Sequence, residues 1–234
     1  MELSPAKRAL LEKWRKGQAS SKATQEISQR PEGSPISLSL PQQRQLFLEL
    51  LDRGTAVNNL SVLIELKGKL DVGALAQSAQ QIIERHDVLR TSFKLGLGAP
   101  VPEIVTELSL QLPLVDLRDW QETSPEQEAR RLAEKEVLQP FDLSQAPLIR
   151  LQLYQLEEDK HWLLVIAHHT IADGWSLGVF LKELIAFYSG NRTGQPAPVG
   201  ELPIQYADYA HWQLTNKQEE TLQASMAYWK QQLA

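Results

Sequence analysis

The run from Trp162 to Ala167, WLLVIA, is the feature that most constrains the fold of this chain. Its consecutive apolar residues leave no polar side to face water, so they predict a central strand that is covered on both faces. Such a strand needs partner strands beside it and a packed layer above and below. The run ends in two adjacent histidines, His168 and His169, in a chain that has five histidines in all.

Segments with strand and helix periodicity alternate along the rest of the chain. The alternation of Leu60, Val62, Ile64 and Leu66 with other side chains is typical of a strand. This mixture of elements predicts a layered α/β sandwich. We predict strands over residues 59–70, 91–94, 101–107 and 149–156, and helices over 41–51, 72–86, 124–138, 176–188, 204–214 and 219–233.

The amino-terminal part differs in character from the rest. Residues 4–17 predict a short helix with Ser4 as its N-cap and Pro5 at its first position. Residues 18–35 are polar and contain Ser, Gly and Pro, which is typical of a linker. We therefore divide the chain into residues 1–33, a docking or interdomain segment, and residues 34–234, the folded domain.

Composition excludes several classes of protein. The chain of 234 residues has no cysteine, so disulfides, thiolate metal sites and a cysteine nucleophile are excluded. Its net charge of -5 gives no support to a nucleic-acid surface. No apolar run is long enough to span a bilayer, and the first residues lack a secretory signal. We expect a soluble, cytoplasmic protein with neither nucleic acid nor membrane as a partner.

The histidine pair limits the chemistry available at the strand end. Successive side chains of a strand point to opposite faces, so His168 and His169 cannot both face one cavity. One ring can act as a general base, because the pKa of histidine lies near neutrality, while the other faces the core or a supporting network. Two rings on opposite faces cannot converge on one ion, so we expect no metal site here.

Asp173 follows the pair after a step that carries the chain off the strand, and Gly174 permits a tight turn into the next helix. The residues alone leave three roles open for this carboxylate. It can bond back to the histidine, pair with an arginine, or cap the following helix. The cap belongs to a purely structural interpretation, in which the two histidines are a satisfied pair at a strand end. Spacing does not decide among these roles.

Four motifs occur in an order that resembles the condensation domains of nonribosomal peptide synthetases. The segments that carry the resemblance are LSLPQQRQLFLELL from Leu38, ERHDVLRTSF from Glu84, AHHTIADGWS from Ala167 and YADYAHWQ from Tyr206. The segments LSPAKRALLEKW near the start and AYWKQQLA at the end are also similar to this family. The resemblance therefore covers nearly the whole chain.

The resemblance implies a chloramphenicol-acetyltransferase-like α/β fold. Each lobe is a two-layer sandwich, and two such lobes form a V with a tunnel at their junction. Two carrier proteins present substrates on 4'-phosphopantetheine arms, and the acceptor amine attacks the donor thioester to form an amide. No cofactor is bound by the domain itself. The family's domains are much longer than this chain, so we expect a single amino-terminal lobe that is inactive or very weak when isolated.

Roles for individual residues follow from the same resemblance. His169 corresponds to the catalytic histidine that faces the tunnel, where it takes a proton from the amine, positions it, or stabilises the tetrahedral intermediate. His168 and Asp173 are structural supports, and Asp173 pairs with an arginine of the second motif. That arginine is assigned as Arg90, with Arg85 in reserve. Gly174 is assigned as a backbone donor to the oxyanion. Trp175 and Ser176 are assigned to the tunnel wall.

The implied partners are the donor and acceptor peptidyl carrier proteins, the carboxy-terminal lobe and neighbouring synthetase modules. Two alternative functions stay open on the sequence. The chain can be a carrier-docking or assembly fragment without turnover, or an HxxxDG acyltransferase that uses soluble acyl-coenzyme A. Keeping both histidines distinguishes it from heterocyclising relatives, which have aspartates there.

Other residues have mainly structural interpretations. His86 is expected to be structural, and His161, just before the apolar strand, is expected to be exposed. Trp175 is equally compatible with the core and with the tunnel wall. An aromatic stripe at helical spacing is expected to pack in the core or between lobes rather than contact a ligand, and comprises Tyr206, Tyr209, His211 and Trp212.

Overall fold

The structure is a computed structural model that describes residues 26–51, 54–96, 98–216 and 219–233. The helix predicted over residues 4–17 lies outside the described residues. The described strands are β1 (Asn59–Lys67), β2 (Thr91–Lys94), β3 (Val101–Ile104), β4 (Leu114–Asp116), β5 (Ile149–Glu157) and β6 (Lys160–His168). The described helices are α1 (Leu40–Leu51), α2 (Val72–Arg85), α3 (Pro125–Val137), α4 (Gly174–Thr193), α5 (Tyr206–Thr215) and α6 (Glu219–Gln232), with a single 3₁₀ turn at Asp87–Arg90.

Four strands form the main sheet in the order β1-β6-β5-β4. Strand β6 pairs antiparallel with both β1 and β5, and β4 pairs parallel with β5 at the edge. Val165 in β6 lies between Val62 of β1 and Leu151 of β5. Strands β2 and β3 form a separate antiparallel pair. The apolar run is therefore the central strand that the sequence predicts.

Helices cover both faces of β6. On one face, Arg130 of α3 lies over the ring of Trp162, 5.7 Å from its centroid. On the other face, Ala167 lines a cavity together with Ile82 of α2 and Phe180 of α4. Helices α2 and α4 pack against each other. The sandwich that the mixture of elements predicts is thus confirmed.

Local signals set several of the boundaries. The side chain of Asp71 accepts a hydrogen bond from the N–H of Ala74 at 2.9 Å, which caps α2. Ser124 and Gln127 form a reciprocal capping box at the start of α3. Strand β1 stops earlier than predicted, because Gly68 adopts a left-handed backbone with φ of 100° that turns the chain out of the sheet.

The prediction for His161 is wrong. The structure places this residue inside β6, where it pairs with Leu66 of β1 and Gln155 of β5, and it is only 3% exposed. Burial lowers its pKa below the ordinary value. The strand begins two residues before the continuous apolar run, so the sequence pattern places His161 one position outside the strand.

Arg150 of β5 closes the carboxy-terminal end of α3. Its guanidinium donates to the carbonyl of Gln139 at 2.7 Å and to those of Glu136 and Pro140 at 3.2 Å each. It also lies 4.0 Å from the centroid of the Phe141 ring. Glu136 lies in the last turn of α3, and Gln139 and Pro140 follow the helix, so the half-buried guanidinium ties the helix end to the segment after it.

None of the helices in the described part of the chain is both long and apolar enough to cross a membrane.

Replacing Arg150 with Met keeps an unbranched, largely apolar side chain but removes its hydrogen-bond donors. We expect the free energy of unfolding to fall by about 2–3 kcal/mol, because the carbonyls at the helix end lose bonds to a charged donor. The matched control is Arg118→Met, since Arg118 pairs with Asp116 at the surface. That change should leave the free energy of unfolding nearly unchanged, because an ion pair in water contributes little. Urea unfolding measures both values, and equal losses would contradict the proposed role of Arg150.

Candidate active site

The end of β6 is held from both sides by backbone hydrogen bonds. The N–H of His168 donates to the carbonyl of Leu148, and the N–H of His169 donates to that of Asn58, each at 2.9 Å. The second bond continues the β1–β6 pairing one residue past the strand. The alternation of side chains therefore persists through the histidine pair, and the two rings lie on opposite sides of the sheet.

His168 faces the interior and is 1% exposed. The N–H of Thr170 donates to its Nδ1 at 3.2 Å, and the Thr170 hydroxyl lies 2.9 Å from the same atom. Because Nδ1 accepts, the neutral ring carries its proton on Nε2. That atom lies 3.6 Å from Oε2 of Glu49, beyond hydrogen-bond distance. The ring of Phe141 meets the imidazole edge-on, with centroids 6.1 Å apart.

Burial also decides the charge of His168. Removal from water lowers its pKa below the ordinary value of 6.5, and the nearby carboxylate of Glu49 opposes this shift without cancelling it. The ring is therefore neutral at physiological pH. A neutral, enclosed imidazole can support the strand end but cannot exchange protons with a substrate.

His169 has the opposite arrangement. Its Nδ1 lies 2.9 Å from the backbone carbonyl of Ala172, which only accepts, so Nδ1 carries the proton. The lone pair of the neutral ring is then on Nε2, and no described residue bonds that atom. His169 is partly exposed and lines the cavity next to Ala167. An oriented imidazole with a free lone pair in a cavity has the geometry of a general base.

The cavity has a volume of about 450 Å³ and combines an apolar lining with a few polar groups. Apolar walls come from the sheet, α2 and α4, including Ile149, Ile82 and Phe180. Polar side chains reach it from residues 169–173 after β6, here called the histidine loop, from the end of α2, and from α1 and α5. They include His169, Asp173, His86, Gln45 and Tyr206. This composition is typical of a small-molecule binding site.

Asp173 is the N-cap of α4. Its Oδ1 accepts from the Ser176 hydroxyl at 2.6 Å and from the Ser176 N–H at 2.7 Å. These bonds to the charged form hold the pKa of the carboxyl below its ordinary value. Of the three roles that the residues left open, the structure shows the helix cap.

The expected pair between Asp173 and an arginine is wrong for both candidates. Arg90 binds Oδ1 of Asp87 at 2.6 Å and the carbonyls of Ile83 and Val105 at 3.1 and 2.6 Å. It thereby ties the end of α2 to the 3₁₀ turn and to the segment after β3. Its guanidinium is already bonded to carbonyls and to a carboxylate three residues away. These partners are nearer to Arg90 in the chain than the histidine loop is.

The reserve candidate, Arg85, also has other partners. Its Nε lies 3.2 Å from Oε1 of Glu183 in α4, and it donates to the carbonyl of Gly200. The second oxygen of Glu183 lies 2.7 Å from Nε2 of His86, which lines the cavity. Sequence reasoning missed this carboxylate–histidine contact, because the two residues are about a hundred positions apart and no local spacing joins them.

Two of the three remaining predicted residues, Trp175 and Ser176, line the cavity. Trp175 is 83% exposed and lines the cavity, so its alternative placement in the core is wrong. Ser176 also lines the cavity and is bonded to Asp173. Gly174 is the first residue of α4, and a side chain there would meet no atom within 4 Å.

The aromatic stripe of α5 is closer to the site than expected. Tyr206 and Tyr209 both line the cavity. The Tyr206 hydroxyl lies 2.8 Å from Oγ of Ser39, and burial raises its pKa. Within the described ranges, no group of three potential ligands is arranged to hold a metal ion.

Comparison with known proteins identifies the family. The condensation-domain family matches residues 34–234, so the chain belongs to the condensation domains. A linear gramicidin synthase of Brevibacillus parabrevis is 39% identical over 216 residues. That match covers 92% of this chain but 4% of the synthase.

Solved structures share the fold. The X-domain from teicoplanin biosynthesis is 29% identical with a TM-score of 0.75, and the match covers 89% of this chain and 45% of that one. The starter condensation domain of rhizomide synthetase has a TM-score of 0.74 at 18% identity, covering 85% of this chain and 48% of that one. The fold is the chloramphenicol-acetyltransferase-like sandwich, and the chain spans a little under half of these domains, as a single lobe does.

The two rings should show opposite tautomers. In nitrogen-resolved NMR spectra above neutral pH, we expect the proton of His169 on Nδ1 and that of His168 on Nε2. His168 should also stay neutral as the pH falls below 6.5, because burial lowers its pKa. The unfolded chain takes up that proton and the folded one does not, so stability should decrease over this range. The same tautomer in both rings would refute the assignment.

Asp173→Ala removes the acceptor that caps α4 and should reduce the free energy of unfolding by about 1 kcal/mol. Asp173→Asn keeps an oxygen acceptor and should cost much less. A buried ion pair that lost one partner would instead cost about 3–5 kcal/mol. Because the pKa of Asp173 is lowered, the difference between Asp and Asn should disappear as the pH falls below the unfolded value of 3.8. Urea unfolding of both variants measures these values.

Proposed function

We propose that the chain is the histidine-bearing lobe of a domain that forms amides between carrier-bound substrates. The donor is an acyl or peptidyl thioester and the acceptor is an aminoacyl amine, each on a phosphopantetheine arm. The single observation that supports this most strongly is the orientation of His169, whose Nδ1 is bound to Ala172 while its Nε2 is free in the cavity. Membership of the condensation family supplies the reaction class.

In the proposed reaction, the acceptor nitrogen forms a bond to the thioester carbonyl carbon. Nε2 of His169 takes the proton that the nitrogen loses. Collapse of the tetrahedral intermediate breaks the carbon–sulfur bond, and the imidazolium returns the proton to the departing sulfur. The Ala172 carbonyl stabilises the imidazolium through the Nδ1 hydrogen bond.

The N–H of Gly174 is the proposed donor to the oxyanion. The first N–H groups of a helix have no partner within it and favour nearby negative charge. The absence of a side chain at Gly174 leaves the approach open. His168 and Asp173 act as supports, the first by filling the space behind the strand end and the second by fixing the start of α4. Trp175 and Ser176 form part of the tunnel wall.

The proposed partners are the two carrier proteins, the second lobe and neighbouring modules of a cytoplasmic synthetase. Asp173, Gly174 and Trp175, at the start of α4, are exposed in this lobe. We therefore expect the isolated chain to be very weak in catalysis, because an open site neither excludes water nor positions both substrates.

His169→Ala in the parent synthetase should lower the rate of amide formation by roughly 10²–10⁴-fold, because the proton acceptor is lost. Single-turnover assays with loaded carrier proteins and mass spectrometry measure the rate. His211→Ala is the matched control, since His211 lies on α5 and is not among the cavity-lining residues. It should react at the wild-type rate.

Three outcomes separate this proposal from its alternatives. An unchanged rate for His169→Ala would rule out the proposed mechanism. Turnover of soluble acyl-coenzyme A without any carrier protein would favour a free acyltransferase. Tight binding of a carrier protein by a parent that forms no amide would indicate a docking role.

A further inference from the structure

Helix α1 presents a buried row of three polar side chains to the loop that follows β6. The row consists of Gln42, Gln45 and Glu49, which are 4%, 8% and 5% exposed. Their spacing of three and four residues places them on one face of the helix. Polar groups are uncommon on a buried helix face, and departures from patterning of this kind are expected at functional sites.

The outer members of the row have partners within the protein. Gln42 donates from Nε2 to the carbonyl of Thr170 at 3.2 Å and accepts from the N–H of Ser39 at 3.1 Å. Glu49 accepts from Nδ2 of Asn58 at 3.2 Å and faces His168. These contacts hold α1 against the histidine loop and place the middle of the row beside that loop.

The middle residue is the exception. Oε1 of Gln45 is buried, and none of the described residues gives it a hydrogen bond. Gln45 nevertheless lines the same cavity as His169. A buried oxygen without a donor destabilises the fold, whereas an apolar side chain of the same size would not. The native fold therefore gains nothing from an amide here unless something else supplies the donor.

We propose that Gln45 is a substrate-binding residue: when its side-chain amide turns toward the cavity, the amide oxygen accepts a hydrogen bond from an N–H group of the bound substrate. The oxygen needs a hydrogen-bond donor. Because the lining of the cavity is largely apolar, few other acceptors compete for a substrate N–H group. The inference rests on the proposed amide-forming function. Two substrate groups share this chemistry there, namely the attacking amine and an amide of the pantetheine arm.

Gln45→Leu should be at least as stable as the wild type but should bind the substrate more weakly. The variant keeps the volume but removes the unpaired oxygen, so its melting temperature should be equal to or higher than that of the wild type. In the parent synthetase, its KM for the acceptor-loaded carrier should rise about 3- to 10-fold, the range that one hydrogen bond provides, with kcat changed less. Gln45→Glu keeps an acceptor and should restore most of the binding.

Gln42→Leu is the matched control on the same helix face. Both of its amide atoms are bonded within the protein, so this change should lower the melting temperature. If Gln45 were purely structural, or held a fixed water, Gln45→Leu should lower the melting temperature in the same way. Such a loss, or an unchanged KM in Gln45→Leu, would overturn the proposal.

Two small probes distinguish the source of the N–H, using the 234-residue chain and NMR titration. Pantetheine carries amides but no amine, and an amino acid methyl ester carries an amine but no arm. Weaker binding of pantetheine alone to Gln45→Leu assigns the arm, and weaker binding of the ester alone assigns the nucleophile.

Failure of the proposed function is recognised separately. In that case the parent forms no amide or is unaffected by His169→Ala, and the probes decide the role of Gln45. If neither probe then binds the wild-type chain more tightly than Gln45→Leu, the inference about Gln45 is also wrong.

Discussion

The hydrogen bond from the N–H of His169 to the carbonyl of Asn58 is the contact on which the site depends. It keeps the chain in strand geometry one residue past β6, so that adjacent side chains still point to opposite sides. His168 is thereby enclosed and neutral, while His169 reaches the cavity. Without this bond the chain would leave the sheet at His168, and nothing would fix which ring faces a substrate.

Most of the fold could be predicted from patterns of residues that are close in sequence. The apolar run predicts β6 as a central strand, and Asp71 and Ser124 indicate where α2 and α3 begin. Strand β4 could not be predicted, because its three residues form a strand only by pairing in parallel with β5. The burial of His161 escaped prediction for a related reason, since the pairing partner in β1 that helps to bury it is distant in sequence.

The candidate site could be predicted in part. The alternation along a strand predicts that only one histidine of the pair can face a cavity, and in the structure His169 lines the cavity while His168 is buried. The group that orients this ring is a backbone carbonyl, that of Ala172, which leaves no signature in residue types. The contact of Glu183 with His86 and the unpaired oxygen of Gln45 likewise arise only when separate helices meet.

The order of the strands has a consequence for biosynthesis. Strand β1 pairs with β6, which lies far along the chain, whereas β5 and β6 form a hairpin of neighbours. During translation β1 cannot pair until β6 has left the ribosome, and long-range pairings of this kind form slowly. The N–H of His169 bonds the carbonyl of Asn58, just before β1, so the geometry of the histidine pair can form only after both of these distant segments have been made.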